Sequence, residues 1–236
     1  MKVHHADAYA AVVFDLDGVL IDSEPLHLKS VELMLARRNI RLTPEQAAQQ
    51  TGITIHHFMR KIVEEWGYPG PQPGEDWVAE KRAIFRDLAR RELQAVRGVD
   101  ALLRRLRGRT KLGLASSSPR GYINWTIDRF GWQGLFDAIC TIEDVTRPKP
   151  DPEMYRLIVR RLGVEGRPVL VFEDSPVGIA SACAVGLQCC GVATSFAPGQ
   201  LAAIGARWVI ADFADVEALA PILGDGLDGR PPGEVG

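Results

Sequence analysis

Six short apolar runs, with helical patterns between them, leave this chain few folds to choose from. The runs cover residues 10–14, 112–115, 138–141, 169–172, 189–192 and, more briefly, 208–210. Runs of this length and polarity read as strands buried on both faces. Residues 99–108 place Leu102, Leu103 and Leu106 on one helical face, and a second helix is expected over 119–130. A third follows Asp151-Pro152 and carries Tyr155, Ile158, Val159 and Leu162. Pro152 suits a first helical position and Asp151 a cap; Ser175-Pro176 repeats that signature before residues 177–185. Strands alternating with helices specify an α/β fold with a mostly parallel sheet. Binding sites in such sheets lie beyond the carboxyl ends of the strands.

One interval breaks the alternation. From residue 26 to 91 there is no strand pattern. Residues 26–38, 55–66 and 77–93 read as helices, and Thr43-Pro44-Glu45-Gln46 is a capping box with proline in the first turn. Residues 67–74, with three prolines, read as a loop. The expected organisation is a parallel-sheet core over residues 1–23 and 97–223, with a four-helix domain of residues 24–96 inserted in it. Such an insertion can form its own small core and is suited to closing over strand-end residues. Residues 224–236, rich in Gly and Pro, are expected to fray.

The 236 residues suffice for one large domain and one small one, and the formal net charge is −2. No basic footprint points to nucleic acid or an anionic membrane, so neither is expected as a partner. The local run Arg104-Arg105, Arg107, Arg109 and Lys111 alternates with leucines as a solvated helix flank does. Cys140, Cys183, Cys189 and Cys190 form no Cys-x-x-Cys pair, so reduced, mostly buried thiols are expected. Without a signal-like start or a run of transmembrane length, a cytoplasmic location is the expectation. A monomer is expected, with a homodimer as the alternative.

Four polar elements follow the apolar runs. The first is Asp15-Leu16-Asp17-Gly18. Residues two apart on a strand share a face, so one carboxylate can attack while the other handles protons. The second is Ser116-Ser117-Ser118, where small hydroxyls at a strand-to-helix turn can donate to an anion. Ser118 also suits a helix cap. The third is Arg147-Pro148-Lys149-Pro150-Asp151-Pro152, whose prolines are expected to hold Lys149 in a stiff, extended segment. A lysine so held suits the charge that develops on a transferring phosphoryl group, while Arg147 can pair with a surface carboxylate. The fourth is Glu173-Asp174, hard oxygen ligands fit for Mg²⁺. Each element is common alone; together they are the parts of one phosphoryl-transfer reaction.

With these residues in this order, the chain resembles the haloacid dehalogenase (HAD) superfamily. Within it, the closer likeness is to small-metabolite phosphatases and β-phosphoglucomutases that carry a helical cap. The resemblance spans about residues 10–220 and all four motifs. It implies a Rossmann-like core and Mg²⁺ as cofactor. It also implies Asp15 as nucleophile and Asp17 as general acid and base, with the Asp17 carbonyl on the metal. Ser116, with Ser117 beside it, would bind phosphate. Lys149 would steady nucleophile and phosphate, Asp174 would bind the metal, and Glu173 would support that site. Dehalogenation is not expected, because it needs neither the metal nor an acid two residues after the nucleophile.

The inserted domain bears on phosphatase against mutase. Ser23 and His27, in Asp22-Ser23-Glu24-Pro25-Leu26-His27, occupy places that resemble the mutase stretch. The resembling mutases also carry Gly-x-x-Arg in a cap loop, and this chain has Gly52-Ile53-Thr54-Ile55. Isoleucine cannot make the bidentate grip of arginine on phosphate. His56 or His57 could recognise another polar group, and Lys81 or Arg82 a distal anion. The expectation is therefore a phosphatase acting through an aspartyl-phosphate on a small phosphorylated metabolite, a sugar or polyol phosphate. A sugar-phosphate mutase is the alternative.

Overall fold

The computed structural model describes residues 9–50, 53, 55–68 and 74–223. The tail expected over 224–236 lies outside the described residues, as do Gly52 and Thr54 of the cap-loop motif. In chain order the elements begin with β1 (Ala11–Phe14), β2 (Ile21–Asp22), α1 (Glu24–Ala36), α2 (Pro44–Ala48) and α3 (Ile55–Arg60). A π-helical turn over Lys61–Glu65, α4 (Glu75–Glu92), β3 (Gln94–Ala95), α5 (Val99–Leu106), β4 (Lys111–Ala115) and α6 (Arg120–Phe130) come next. Then follow β5 (Ala138–Cys140), a 3₁₀ turn at Ile142–Asp144, α7 (Glu153–Leu162), β6 (Val169–Glu173) and α8 (Pro176–Cys183). The chain closes with β7 (Gln188–Val192), α9 (Pro198–Ile204), β8 (Trp208–Ile210) and α10 (Val216–Leu223).

The chain separates into two units: one holds the residues up to Ile21 and from Ala95 onward, the other Asp22–Gln94. In the first unit, all six expected strands form one parallel sheet in the order β5-β4-β1-β6-β7-β8. From β1 the chain builds β4 and β5 on one side, then returns to β6 on the other. This makes β1 the topological switch point, where the loops diverge and leave a crevice at the carboxyl end of the strand. Phe14 pairs level with Leu114 and Phe172, so β1, β4 and β6 end together.

Strand alternation then sorts the side chains. Phe14 and Phe172 stack with centroids 5.2 Å apart on one face, with Phe213 edge-on to both. Val13 and Val171 go to the other face and pack with Tyr155, Ile158 and Leu162 of α7. By the same alternation Asp15 and Glu173 emerge on the valine side, toward α7.

The local signals match in part. Ser175 caps α8, its hydroxyl accepting from the Gly178 amide at 3.1 Å. Thr43 and Gln46 form the expected reciprocal box at 3.3 and 2.9 Å, although α2 lasts only five residues. For α7 the cap position is Pro152 and not Asp151, yet the Asp151 carboxylate still accepts from the Glu153 amide at 2.9 Å. Ser118 does not cap α6; Pro119 holds that position without a side-chain bond. The lysine segment is not extended either. Lys149-Pro150 is cis, and the Asp151 amide donates to the Pro148 carbonyl at 3.0 Å.

The second unit is helical, as its sequence pattern indicates, with α1 and α4 packed together. Met34 and Leu35 of α1 and Trp77, Phe85 and Leu88 of α4 are buried. Both Arg37 and Arg38 reach Glu80 at 2.7 Å. His27 of α1 stacks on Phe85 at 4.0 Å, and Lys81 donates to its Nδ1 at 2.7 Å. That contact requires a neutral ring with its proton on Nε2. Burial, then the Lys81 ammonium, lowers its pKa to about 3. An unfolded histidine titrates near 6.5, so the unfolded chain takes up a proton that the folded chain refuses. The contribution is complete above about pH 6.5 and is lost as pH falls toward about 3. His27→Gln is expected to lose less thermal stability between pH 7 and pH 5 than the unaltered chain. Equal losses in parallel melts would refute this.

Candidate active site

The crevice at the end of β1 begins with backbone. The Asp15 amide donates to the Phe172 carbonyl at 3.0 Å, extending the ladder one residue past β1. The chain then coils tightly: the Leu16 carbonyl accepts from the amides of Val19, Leu20 and Ile21 at 3.3, 2.8 and 3.0 Å. Gly18 turns this corner with φ of +76°. A Cβ there would be strained and would overlap the Asp174 carboxylate. The glycine of the Asp-x-Asp-Gly run is what lets the loop lie against Asp174.

Lys149 is the hub. Its ammonium donates to Asp15 Oδ1 at 2.7 Å, Glu173 Oε1 at 2.7 Å and the Ala115 carbonyl at 3.0 Å. The side chain is only 5% exposed, so these contacts replace its hydration. Burial alone lowers the pKa of Lys149, but the Asp15 and Glu173 carboxylates more than offset this and raise it above its ordinary value. Burial raises the pKa of Asp15, and the opposing Lys149 charge does not cancel the effect.

Glu173, expected beside the metal, is engaged by protein donors at both oxygens. Oε1 accepts from Lys149 and, at 2.8 Å, from the Tyr155 hydroxyl. Oε2 accepts from the Ser175 amide and hydroxyl at 3.2 and 3.0 Å. Burial, then the Glu173 charge, pushes the Tyr155 phenol far above its ordinary range, so it remains a donor. This carboxylate lies against the first turn of α8, where a Cβ on Gly178 would overlap it. Gly178→Ala is expected to cost about 1–3 kcal/mol by overpacking, despite the better helix propensity of alanine. Urea unfolding checks it; unchanged stability would show that the carboxylate has room to move.

The serine turn and Asp17 meet directly. The Ser118 hydroxyl donates to Asp17 Oδ2 at 2.6 Å, and the Ser118 amide donates to Ser116 Oγ at 3.0 Å. Ser116 is buried, with its own amide on the Cys140 carbonyl at 3.0 Å, whereas Ser117 is exposed. Asp174 is buried as well. Burial, then the charges of Glu173 and Asp15, raise its pKa well above the ordinary carboxylate value, partly opposed by a hydrogen bond from the Ser195 hydroxyl. Next to it, Thr194 Oγ1 donates to the Gly18 carbonyl at 2.6 Å.

The structure thus brings Asp15, Asp17, Ser116, Lys149, Glu173 and Asp174 to one end of the sheet. Sequence reasoning missed Tyr155, Thr194 and Ser195, and assigned Ser118 a different part. Thr194 and Ser195 had a usable signal, being hydroxyls just after an apolar strand, as Ser116 is. Tyr155 had none, since its helical spacing reads as core. The candidates Ser23, His27, His56 and Lys81 lie in the helical unit. Ser23 is buried at the cap position of α1, and Lys81 is bound to His27. His56 is exposed, 4.0 Å from Glu75, and Ile55 opens α3. Arg147 pairs with Asp151 and Glu153 at 3.2 and 3.4 Å. Among the described residues, no three or more His, Cys, Asp or Glu side chains form a metal-holding group.

A model of the haloacid dehalogenase-like hydrolases matches residues 12–192. Validoxylamine A 7'-phosphate phosphatase of Streptomyces hygroscopicus subsp. limoneus is 31% identical over 188 residues, covering 79% of this chain and 87% of that protein. Phosphorylated carbohydrates phosphatase of Thermotoga maritima is 29% identical over 196 residues, covering 75% of this chain and 82% of that protein. The crystal structure of a HAD family hydrolase from Deinococcus radiodurans R1, with bound phosphate and sodium, aligns with a TM-score of 0.76 at 27% identity. That alignment covers 94% of this chain and 98% of the other.

Proposed function

We propose that this chain, which belongs to the haloacid dehalogenase-like hydrolase family, is a Mg²⁺-dependent phosphatase working through an aspartyl-phosphate on Asp15. The observation that carries the reading is the Lys149 clamp. A carboxylate at the switch-point strand end sits 2.7 Å from a buried ammonium, and a second carboxylate follows two residues later. A small phosphorylated metabolite of the sugar or polyol class is the substrate we infer. Two relatives named for phosphorylated carbohydrates and for validoxylamine A 7'-phosphate support that class.

The donor set fits Mg²⁺. Asp15 and Glu173 share the buried Lys149 ammonium, and burial, then repulsion from neighbouring carboxylates, raises the pKa of Asp15 and Asp174. Mg²⁺ takes one or two carboxylates and otherwise water and substrate oxygens. Asp15, Asp174 and the Asp17 carbonyl are the residues that would hold it. Glu173, taken up by Lys149, Tyr155 and Ser175, is a positioning residue for the lysine. When bound, the metal screens repulsion between the carboxylate nucleophile and the phosphate.

The chain's own residues account for the remaining chemistry. Asp15 forms the new O–P bond as the P–O bond to the leaving alcohol breaks, and Asp17 gives that alcohol its proton. Ser118 donates to Asp17 Oδ2 and so orients this carboxyl for the transfer. Lys149 favours the ionised form of Asp15 against the effect of burial and meets the charge developing on the phosphoryl oxygens. Ser116, whose oxygen already accepts from the Ser118 amide, has its own proton to donate to phosphate. Asp17, now ionised, takes a proton from the water that attacks phosphorus, and the bond to Asp15 breaks to release inorganic phosphate.

A screen of sugar and polyol phosphates tests this by phosphate release with Mg²⁺ and with EDTA. One compound class is expected to release phosphate, with EDTA stopping it and Mg²⁺ restoring it. The screen includes β-glucose 1-phosphate with catalytic glucose 1,6-bisphosphate. Glucose 6-phosphate formed there without free phosphate would replace the phosphatase by a mutase.

A further inference from the structure

A cavity lined by three arginines lies away from Asp15. At the amino ends of β6 and β7, the edge of the sheet opposite the carboxylates, the chain leaves a cavity of about 790 Å³. Its walls are α7, the loop entering β6 and the turn from α8 into β7, all within one unit. Three guanidinium residues line it. Arg156 and Arg160 stand one turn apart on α7, and Arg167 comes from the loop. The one acid in the lining, Glu165, is 3.7 Å from Arg160, with both side chains mostly exposed, so it neutralises little. Arg156 and Arg167 make no side-chain hydrogen bond or ion pair among the described residues. A net positive cavity in a chain of net charge −2 is a local concentration of charge. Val159, Val185 and Leu187 add apolar lining beside it.

We propose that this cavity binds a small polyphosphate of the nucleoside triphosphate class. Guanidinium groups grip phosphate oxygens bidentately, and cations drawn from two elements suit a chain of phosphates better than a single one. The apolar lining offers a place for a ring, and the volume lies within the range of small-molecule sites. The proposal rests on arginines at the opposite end of the strands from Asp15, although Tyr155, which donates to Glu173, also lines the cavity.

Calorimetric titration of ATP and of tripolyphosphate into the full chain carrying Asp15→Asn, which we expect not to turn the probe over, tests the proposal. Saturable binding is expected, weakened about tenfold or more when Arg156→Gln and Arg167→Gln are added, as for lost charged hydrogen bonds. Both side chains are exposed, so the melting temperature and, on the Asp15 background, phosphatase turnover should not change. Tighter binding of ATP than of tripolyphosphate assigns the ring to the apolar lining; equal binding assigns the phosphate chain alone, and either supports the site. No saturable binding, or binding that survives both arginine substitutions, overturns it.

Discussion

Asp15→Asn lowers turnover by about 10⁴-fold or more while the protein stays folded, as expected when a nucleophile is removed from a site that otherwise remains whole. The amide has nearly the shape of the carboxylate, and its oxygen can still accept from Lys149. What it lacks is the negative oxygen that must attack phosphorus. The fold tolerates the change because Asp15 carries an electrostatic burden. Burial and the Glu173 and Asp17 charges disfavour its ionised form, and only Lys149 favours it. Removing that charge relieves repulsion at Asp174 as well, where Asp15 raises the pKa. A melting temperature within a few degrees of the unaltered chain is therefore expected. Phosphate release and thermal melts on one preparation decide the matter, and near-normal turnover in a correctly folded sample would remove Asp15 from the reaction.

Lys149→Met is expected to damage both fold and activity. Methionine has similar length but no donor, so Asp15 and Glu173 lose their shared cation inside the protein. Removing one partner from a buried ion pair costs about 3–5 kcal/mol, because the other charge is left uncompensated. Here two carboxylates are stranded. Turnover should fall by about 10²–10³-fold or more through lost charge stabilisation. The pH dependence gives a separate check. Without Lys149 the folded-state pKa of Asp15 rises further above that of the unfolded chain, so the folded variant holds a proton the unfolded chain has released. The variant therefore regains stability relative to the unaltered chain as pH falls from neutral toward the ordinary carboxylate range. Urea unfolding at pH 7 and pH 5 should show the gap narrowing. A constant gap would mean the loss is one of packing alone.

Much of the fold was legible because it rests on short-range regularities. Apolar runs such as 10–14 and 169–172 can only be buried, and Ser175-Pro176 and Thr43-Pro44 mark helix starts by local bonding. Asp15, Asp17, Ser116, Lys149, Glu173 and Asp174 were legible as residue types placed just after such runs. Partners were harder to read. Ser118 looked like a cap, yet it donates to Asp17, and the cap position falls to Pro119. Glu173 was expected to support the metal site, and the partners of its oxygens, Lys149, Tyr155 and Ser175, could not be read from the sequence.

Sequence by itself determined the order of the six core strands, the helical pattern inserted after the first of them and the set of polar residues at the strand ends, because these follow from periodicity and from neighbours a few positions away; the short β2 and β3 and the helices α9 and α10 carried no such signal. Only the tertiary structure decided which of those residues touch. The level register of β1 with β4 and β6 sets Asp15 beside Glu173. Packing of α7 under the sheet brings Tyr155 to Glu173, and the turn after β7 carries Ser195 to Asp174. These contacts join residues 18 and 21 positions apart, and the Lys149 contact with Asp15 spans 134, distances at which only strand register and core packing specify a neighbour.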